Sequence, residues 1–215
     1  MRVPLLYPIL DADSLIANAA GETPMQAVCS HALALAEAGC TLMQYRTKQL
    51  NAREALTQAR ELRRLLPGVT LIMNDRADLC VAAAFDGVHI GQEDLSPESA
   101  RSVVGMESLV GLSTHNSAQM AEALTKPVDY LAIGPVFATV SKQNPDPAVG
   151  LPGVSEARRL RDESGRALPL VAIGGITLDN AEAVLKAGAD SVAVIGALSC
   201  SPRESAKEFF RLMVS

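Results

Sequence analysis

The sequence predicts a single-domain (β/α)8 barrel, the TIM barrel, and three observations support this fold class. The chain has 215 residues, of which 48% are hydrophobic and 20% are charged, which suits one large domain with a substantial core. Short apolar runs alternate with longer amphipathic, Ala- and Leu-rich stretches, a pattern typical of βα units in a parallel sheet. There are eight such runs, the number that a compact barrel requires. We therefore expect residues 1–215 to form one α/β barrel domain.

The predicted elements follow one another without a linker. Strands are expected at residues 5–10, 41–46, 70–74, 87–90, 109–113, 130–134, 170–173 and 191–195. Apolar residues at helical spacing predict helices at residues 25–38, 52–65, 75–84, 97–104, 118–124, 154–163, 178–186 and 203–213. Ser96 before Pro97 and Ser201 before Pro202 have the residue types that begin helices.

A weak internal repeat supports the count of strands. EAGCTLMQ, AAFDGVHIGQ, KPVDYLAIGP and KAGADSVAVIG each lead from a helix end into a buried strand, at the second, fourth, sixth and eighth strands. A doubly wound open sheet is the alternative architecture, but no GxGxxG motif follows the first strand.

The charge and hydropathy of the chain exclude several classes of partner. With 19 Lys and Arg against 24 Asp and Glu, there is no basic face of the size that nucleic acid or anionic lipid requires. No apolar run approaches the roughly 18 residues of a spanning helix, and the N-terminus does not read as a signal peptide. We expect a cytoplasmic protein with small-molecule partners, and a homo-oligomer is compatible with the sequence.

The second strand ends in QYRTK, a pattern that favours an anion site. Side chains alternate along a strand, so Gln44, Arg46 and Lys48 share one side while Tyr45 and Thr47 take the other. Arg offers a planar fork and Lys a point charge to a phosphate group. The alternative is a surface strand end that pairs with acidic neighbours.

Carboxylates follow the next two strands. Asn74 ends the third strand, Asp75 follows it, and Asp94 follows the fourth strand. Two carboxylates on neighbouring loops can hold one Mg²⁺ together with substrate phosphates and water. Alternatively, Asp75 caps a helix and Asp94 belongs to an ordinary turn.

The fourth and fifth strands supply two histidines and a serine. Ser113 could donate a hydrogen bond to a phosphate oxygen. His115 is either a base or a residue that starts a helix. His89 lies between Val88 and Ile90, which favours a buried, hydrogen-bonded core histidine.

The last three strands are followed by segments suited to oxyanions. Residues 134–154 form a long loop, in which Thr139, Ser141 and Lys142 cluster hydroxyls and a cation; the alternative is a plain solvent loop. Glycines follow the seventh and eighth strands, at Gly175 and, after Ile195, at Gly196. Barrels commonly bind phosphate there, although glycine also serves tight turns. Two phosphorylated substrates would explain two separate anion regions.

These segments together resemble a known family. QYRTK, NDRADL, GVHIGQEDL, GLSTH, DYLAIGPVFATVSK, VAIGGI and GADSVAVI, in that order, are similar to thiamine phosphate synthase throughout its length. The resemblance implies a (β/α)8 barrel transferase with Mg²⁺ as its cofactor. Its reaction joins 4-amino-2-methyl-5-hydroxymethylpyrimidine diphosphate to 4-methyl-5-(2-phosphoethyl)thiazole and gives thiamine phosphate and pyrophosphate.

The resemblance also implies roles for individual residues. The metal ligands would be Asp75 and Asp94, and the catalytic residues Arg46, Lys48, Ser113 and Lys142. The pyrimidine diphosphate would contact Gln44, Tyr45, Arg46, Thr47, Lys48, Asn74, Ser113 and Lys142. The thiazole phosphate would contact Thr139, Ser141, Gly175, Ile195 and Gly196. A related thiazole tautomerase, with His115 as proton shuttle, and a non-catalytic barrel that binds thiamine precursors are the alternative functions.

Overall fold

Eight parallel strands close into a barrel in this protein, whose computed structural model describes residues 3–139 and 146–214. The strands pair in sequence order and β1 pairs with β8, which closes the sheet. The strands are β1 (Leu6–Asp11), β2 (Leu42–Arg46), β3 (Thr70–Asn74), β4 (Gly87–Ile90), β5 (Leu109–Thr114), β6 (Tyr130–Ile133), β7 (Leu170–Ile173) and β8 (Ser191–Val194). The predicted fold class is therefore confirmed.

Helices surround the barrel. They are α1 (Ala12–Ala17), α2 (Pro24–Glu37), α3 (Ala52–Leu65), α4 (Ala77–Ala82), α5 (Pro97–Val104), α6 (Ser117–Ala123), α7 (Gly150–Glu163), α8 (Ala181–Lys186) and α9 (Pro202–Val214), with a 3-10 turn at Gly196–Leu198. None of the helices in the described part of the chain is long and apolar enough to cross a lipid bilayer.

Every predicted strand is confirmed to within one residue at each end, whereas several predicted helix starts are wrong. The six-residue α1 was not predicted, because so short a segment shows no helical period. The fourth helix starts after Asp75, whose φ of 62° lies in the left-handed region. The α7 helix begins at Gly150, earlier than predicted. It accommodates Pro152 because this residue falls in the first turn, where backbone N–H groups need no helical acceptor.

The strands separate two apolar layers. Side chains on one strand face pack against the surrounding helices and form the larger core cluster. Side chains on the other face fill the lumen, and these are Tyr7, Ile9, Leu42, Ile72, Tyr130, Ala132, Val171 and Ala193. This alternation along each strand decides which polar residues reach the barrel interior.

The internal repeat has a structural counterpart at the amino ends of three of the four even strands. An aspartate precedes β4, β6 and β8, and one of its oxygens accepts two hydrogen bonds. One comes from a backbone N–H of the preceding odd-numbered strand. The other comes from an arginine of the helix that leads into that odd-numbered strand. The three sets are Asp86 with Leu71 and Arg63, Asp129 with Val110 and Arg101, and Asp190 with Leu170 and Arg161. We name these sets the Arg–Asp staples.

We expect Arg101→Met to lower the free energy of unfolding by about 2 kcal/mol, because it leaves Asp129 and the Ser108 carbonyl without a charged donor. Urea denaturation measures the change. The matched control is Arg159→Met, which removes exposed ion pairs within α7 and should cost less than about 1 kcal/mol. Equal losses in the two variants would show that the staple contributes no more than a surface pair.

Candidate active site

The predicted cationic strand end lies at the carboxyl end of β2, where its side chains meet acidic partners. Arg46 Nη1 donates to Asp11 Oδ2 at 2.9 Å, and Lys48 Nζ donates to Asp75 Oδ2 at 2.5 Å. Gln44 is buried in the lumen on the same strand face. The cations of this segment are therefore paired with acidic neighbours, as the alternative interpretation expects. The anion site at this strand end stays a prediction.

Tyr45 and Thr47 point to the other side, as the alternation requires. The Tyr45 hydroxyl donates to Gln58 Oε1 of α3 at 2.8 Å, so its side chain lies between strand and helix and does not reach the mouth. The expected contact of Tyr45 with a ligand stays a prediction, and this position of its side chain does not support it. Thr47 Oγ1 donates to Asp13 Oδ1 at 2.7 Å, and the Lys48 backbone N–H donates to Asp13 Oδ2 at 2.7 Å. Asp13, which lies in the unpredicted helix α1, therefore holds the last two residues of QYRTK in place through these two hydrogen bonds.

The two predicted metal-binding carboxylates are neighbours. The pKa of Asp75 is raised above its ordinary value, mainly because the carboxyl group is buried. The hydrogen bond from Lys48 opposes this rise, and the adjacent Asp94 carboxylate adds to it. Asp94 Oδ2 also accepts from the Gly91 backbone N–H at 2.8 Å, so the predicted turn is present. Asp75 does not cap α4, whose N-cap is Arg76 and has no side-chain cap bond. Its left-handed backbone instead lets its N–H donate to the His89 carbonyl at 2.7 Å.

The donor set of this pair fits a hard divalent cation. Among the described residues, no group of three or more His, Cys, Asp or Glu side chains converges on one point. Asp75 and Asp94 alone are too few to complete a Ca²⁺ or Zn²⁺ shell, but Mg²⁺ is usually held by one or two carboxylates, substrate phosphates and water. The pair therefore suits Mg²⁺ that arrives with a phosphorylated ligand.

Two buried polar atoms near these groups lack partners in the part of the chain that the structure describes. They are Nδ2 of Asn74, at the carboxyl end of β3, and Oδ1 of Asp11, at the carboxyl end of β1. A buried polar atom without a partner costs about 1–3 kcal/mol. Asn74 therefore offers a hydrogen-bond donor that a ligand oxygen would satisfy.

A chain of hydrogen bonds crosses the lumen below the mouth. Gln44 Nε2 donates to Tyr7 Oη at 3.1 Å, and Tyr7 Oη is 3.0 Å from Tyr130 Oη. His89 Nδ1 lies 3.0 Å from Tyr130 Oη, and His89 Nε2 lies 2.8 Å from Ser113 Oγ. The interpretation of His89 as a buried, hydrogen-bonded histidine is confirmed. Burial lowers the pKa of His89 to about 4, so the imidazole is neutral near pH 7.

His115 lies beside the loop that follows β6. Its Nδ1–H donates to the Gly134 carbonyl at 2.5 Å, and its Nε2 is 3.6 Å from Asp146 Oδ2. Its backbone N–H donates to Gln119 Oε1 at 2.7 Å. The Nδ1 of His115 is thus hydrogen-bonded to the backbone just after β6. A side chain in this position can fix the start of the loop.

The β6 loop begins by packing on the end of β7. The backbone N–H groups of Val136 and Phe137 donate to the carbonyls of Ile173 and Gly174 at 2.8 and 3.0 Å. Gly175 has a φ of 64°, and a Cβ there would overlap Phe137 and Ala138. Glycine is therefore required where the loop crosses the β7 turn.

The remaining predicted residues divide between the loop and the ends of β7 and β8. Thr139 is half-buried in the loop, and Ser141 and Lys142 lie outside the described residues. Ile195 is half-buried, and Gly196 is exposed and begins the 3-10 turn after β8. Gly175, Ile195 and Gly196 follow adjacent strands, across the barrel from β3 and β4. The two predicted anion regions therefore face each other over one mouth.

Fold and site together define a (β/α)8-barrel enzyme that acts on small phosphorylated molecules. Residues 14–198 match the family model described as thiamine monophosphate synthase. A thiamine-phosphate synthase of Koribacter versatilis is 54% identical over 217 residues, an alignment that covers 100% of this chain and 98% of the relative. A thiamine-phosphate synthase of Agrobacterium fabrum is 44% identical over 169 residues, which cover 78% of this chain and 77% of the relative. The solved thiamine phosphate pyrophosphorylase of Pyrococcus furiosus superimposes with a TM-score of 0.80 at 31% identity, covering 97% and 95% of the two chains. The chain belongs to the thiamine monophosphate synthase family and is a transferase.

Proposed function

We propose that this chain joins 4-amino-2-methyl-5-hydroxymethylpyrimidine diphosphate to 4-methyl-5-(2-phosphoethyl)thiazole, releasing pyrophosphate. The observation that carries the proposal is the contact of Lys48 with Asp75 at 2.5 Å, beside Asp94. A cation and a carboxylate pair at one point suit a diphosphate that brings its own metal ion. The full-length identity to a thiamine-phosphate synthase supports the same substrates.

The proposed chemistry is loss of pyrophosphate from the pyrimidine, followed by capture of the pyrimidine cation by the thiazole nitrogen. Arg46 and Lys48 stabilise the leaving group as its negative charge develops, and Asn74 Nδ2 donates to one of its oxygens. Asp75 and Asp94 would hold Mg²⁺, which supplies further neutralisation of the departing pyrophosphate. Fixed charges of this kind account for most of the rate enhancement in many enzymes.

The second substrate is proposed to bind on the opposite side of the mouth. Gly175, Ile195 and Gly196 form the floor for the thiazole phosphate, and Thr139 and Ser141 donate hydroxyls from the β6 loop. Lys142 reaches the diphosphate from the same loop. The route needs no strong general base. The enzyme must also hold the thiazole nitrogen close to the pyrimidine carbon that it attacks.

The test is an assay with both substrates that measures pyrophosphate and thiamine phosphate. We expect the two products in equal amounts, only when both substrates are present, and loss of both when Mg²⁺ is removed by a chelator. Isomerisation of the thiazole without pyrophosphate release would instead establish the tautomerase. Binding of the substrates without any turnover would establish the non-catalytic barrel.

A further inference from the structure

The hydrogen-bond chain through the lumen joins Gln44 to Ser113 through three residues that the proposed reaction does not use. Tyr7, Tyr130 and His89 are almost completely buried. Because Tyr7 is only 2% exposed and Tyr130 is 0% exposed, each hydroxyl proton needs an acceptor within the chain. The direction of every hydrogen bond can therefore be worked out from one end.

The direction starts at Gln44, whose amide Nε2 donates to Tyr7 Oη. The single Tyr7 proton must then go to Tyr130 Oη, and the Tyr130 proton must go to His89 Nδ1. Nδ1 is thus an acceptor, and the neutral imidazole carries its proton on Nε2. That proton is donated to Ser113 Oγ, which leaves the hydroxyl proton of Ser113 available to another acceptor.

Ring packing holds this chain in place. The His89 and Tyr130 rings are stacked, with centroids 5.4 Å apart, and Tyr7 meets Tyr130 edge-on at 6.1 Å. Gly111 lies beneath Tyr130, and a Cβ at that position would overlap the tyrosine ring. The absence of a side chain at Gly111 therefore permits the Tyr130 ring to lie across the lumen and bring its hydroxyl to His89.

We propose that Tyr7 and Tyr130 are positioning residues that hold His89 as the Nε2–H tautomer and so make Ser113 a hydrogen-bond donor to the pyrimidine diphosphate. The part that concerns the ligand rests on the proposed function. The part that concerns His89 is a property of the protein alone. Without the tyrosine hydroxyls, Ser113 would be free to donate its proton to His89 and would then face the ligand as an acceptor.

The tautomer is tested by ¹H–¹⁵N correlation spectra of the histidine rings in the full chain without ligand. We expect His89 to carry its proton on Nε2 in the wild type, and to lose that preference in Tyr130→Phe and Tyr7→Phe. The matched control is Tyr45→Phe, which removes an equally buried hydroxyl bonded to Gln58 outside the lumen and should leave the His89 signals in place. An Nδ1–H tautomer in the wild type, or signals unmoved by both lumen variants, would overturn the proposal.

The consequence for the ligand is tested by a double-mutant cycle on binding of the pyrimidine diphosphate, measured by calorimetry. Ser113→Ala and Tyr130→Phe should each weaken binding about tenfold, the equivalent of one hydrogen bond. The double variant should bind no more weakly than Ser113→Ala, because both changes remove the same donor. Additive losses would overturn the assignment of Ser113. Failure of the wild type to bind this ligand would reject the proposed function, while the spectra decide the tautomer separately.

Discussion

Asp94→Asn is expected to lower the rate of pyrophosphate formation about 100-fold or more at a fixed Mg²⁺ concentration. The amide keeps an oxygen that can accept from the Gly91 N–H, so the turn after β4 survives. The variant loses only the negative charge beside Asp75, and with it half of the proposed metal site. The assay with both substrates measures the loss, and raising the Mg²⁺ concentration should recover part of the rate.

The matched control for this change is Glu93→Gln. Glu93 is exposed and lies next to Asp94, so this substitution removes one negative charge from the same loop. It should leave both the rate and its Mg²⁺ dependence nearly unchanged. A similar loss in the two variants would mean that the charge of the loop matters and not the position of Asp94. Full activity in Asp94→Asn would refute the proposed metal site.

Arg46→Met is expected to damage both turnover and stability. The reaction loses a cation that stabilises the leaving group, which we expect to cost about 100-fold in rate. The fold loses the partner of Asp11, whose side chain is only 9% exposed and whose second oxygen has no partner among the described residues. Leaving a buried carboxylate unpaired costs about 3 kcal/mol in the free energy of unfolding.

The two effects can be separated by adding Asp11→Asn. Burial already raises the pKa of Asp11 and Arg46 opposes that rise, so a neutral amide should tolerate the loss of Arg46 far better than a carboxylate does. The double variant should recover most of the stability in urea denaturation but none of the activity. Recovery of turnover together with stability would show that Arg46 acts only as a structural partner.

The sequence predicted the strands well because burial inside a barrel leaves a strong local signal. It also predicted that Gln44, Arg46 and Lys48 share a face, since alternation along a strand is a local property. The same alternation predicts that the Tyr45 ring lies on the opposite side of the strand, and its hydroxyl does contact Gln58 of α3 there.

Other features could not be predicted because they depend on packing between distant residues. The Tyr7 and Tyr130 hydroxyls meet across 123 positions of sequence, and no local pattern pairs them. The left-handed backbone of Asp75 occurs at a residue other than glycine, beside the hydrogen bond of its N–H to the His89 carbonyl on the next strand, and no local pattern marks it. The role of Asp13 could not be predicted because its short helix carries no periodic signal, and the acidic sequence DAD, which begins at the last residue of β1, was the only clue. The roles of Ser141 and Lys142 stay predictions.

The central claim is that the β2–β4 side of the mouth binds a diphosphate together with Mg²⁺. Its most direct test is a calorimetric titration of inorganic pyrophosphate into the wild-type protein, with Mg²⁺ and with a chelator in its place. We expect one pyrophosphate per chain with Mg²⁺ and binding at least about tenfold weaker without it. Equal affinity in the two conditions, or an affinity unchanged in Arg46→Met, would contradict this assignment of the site.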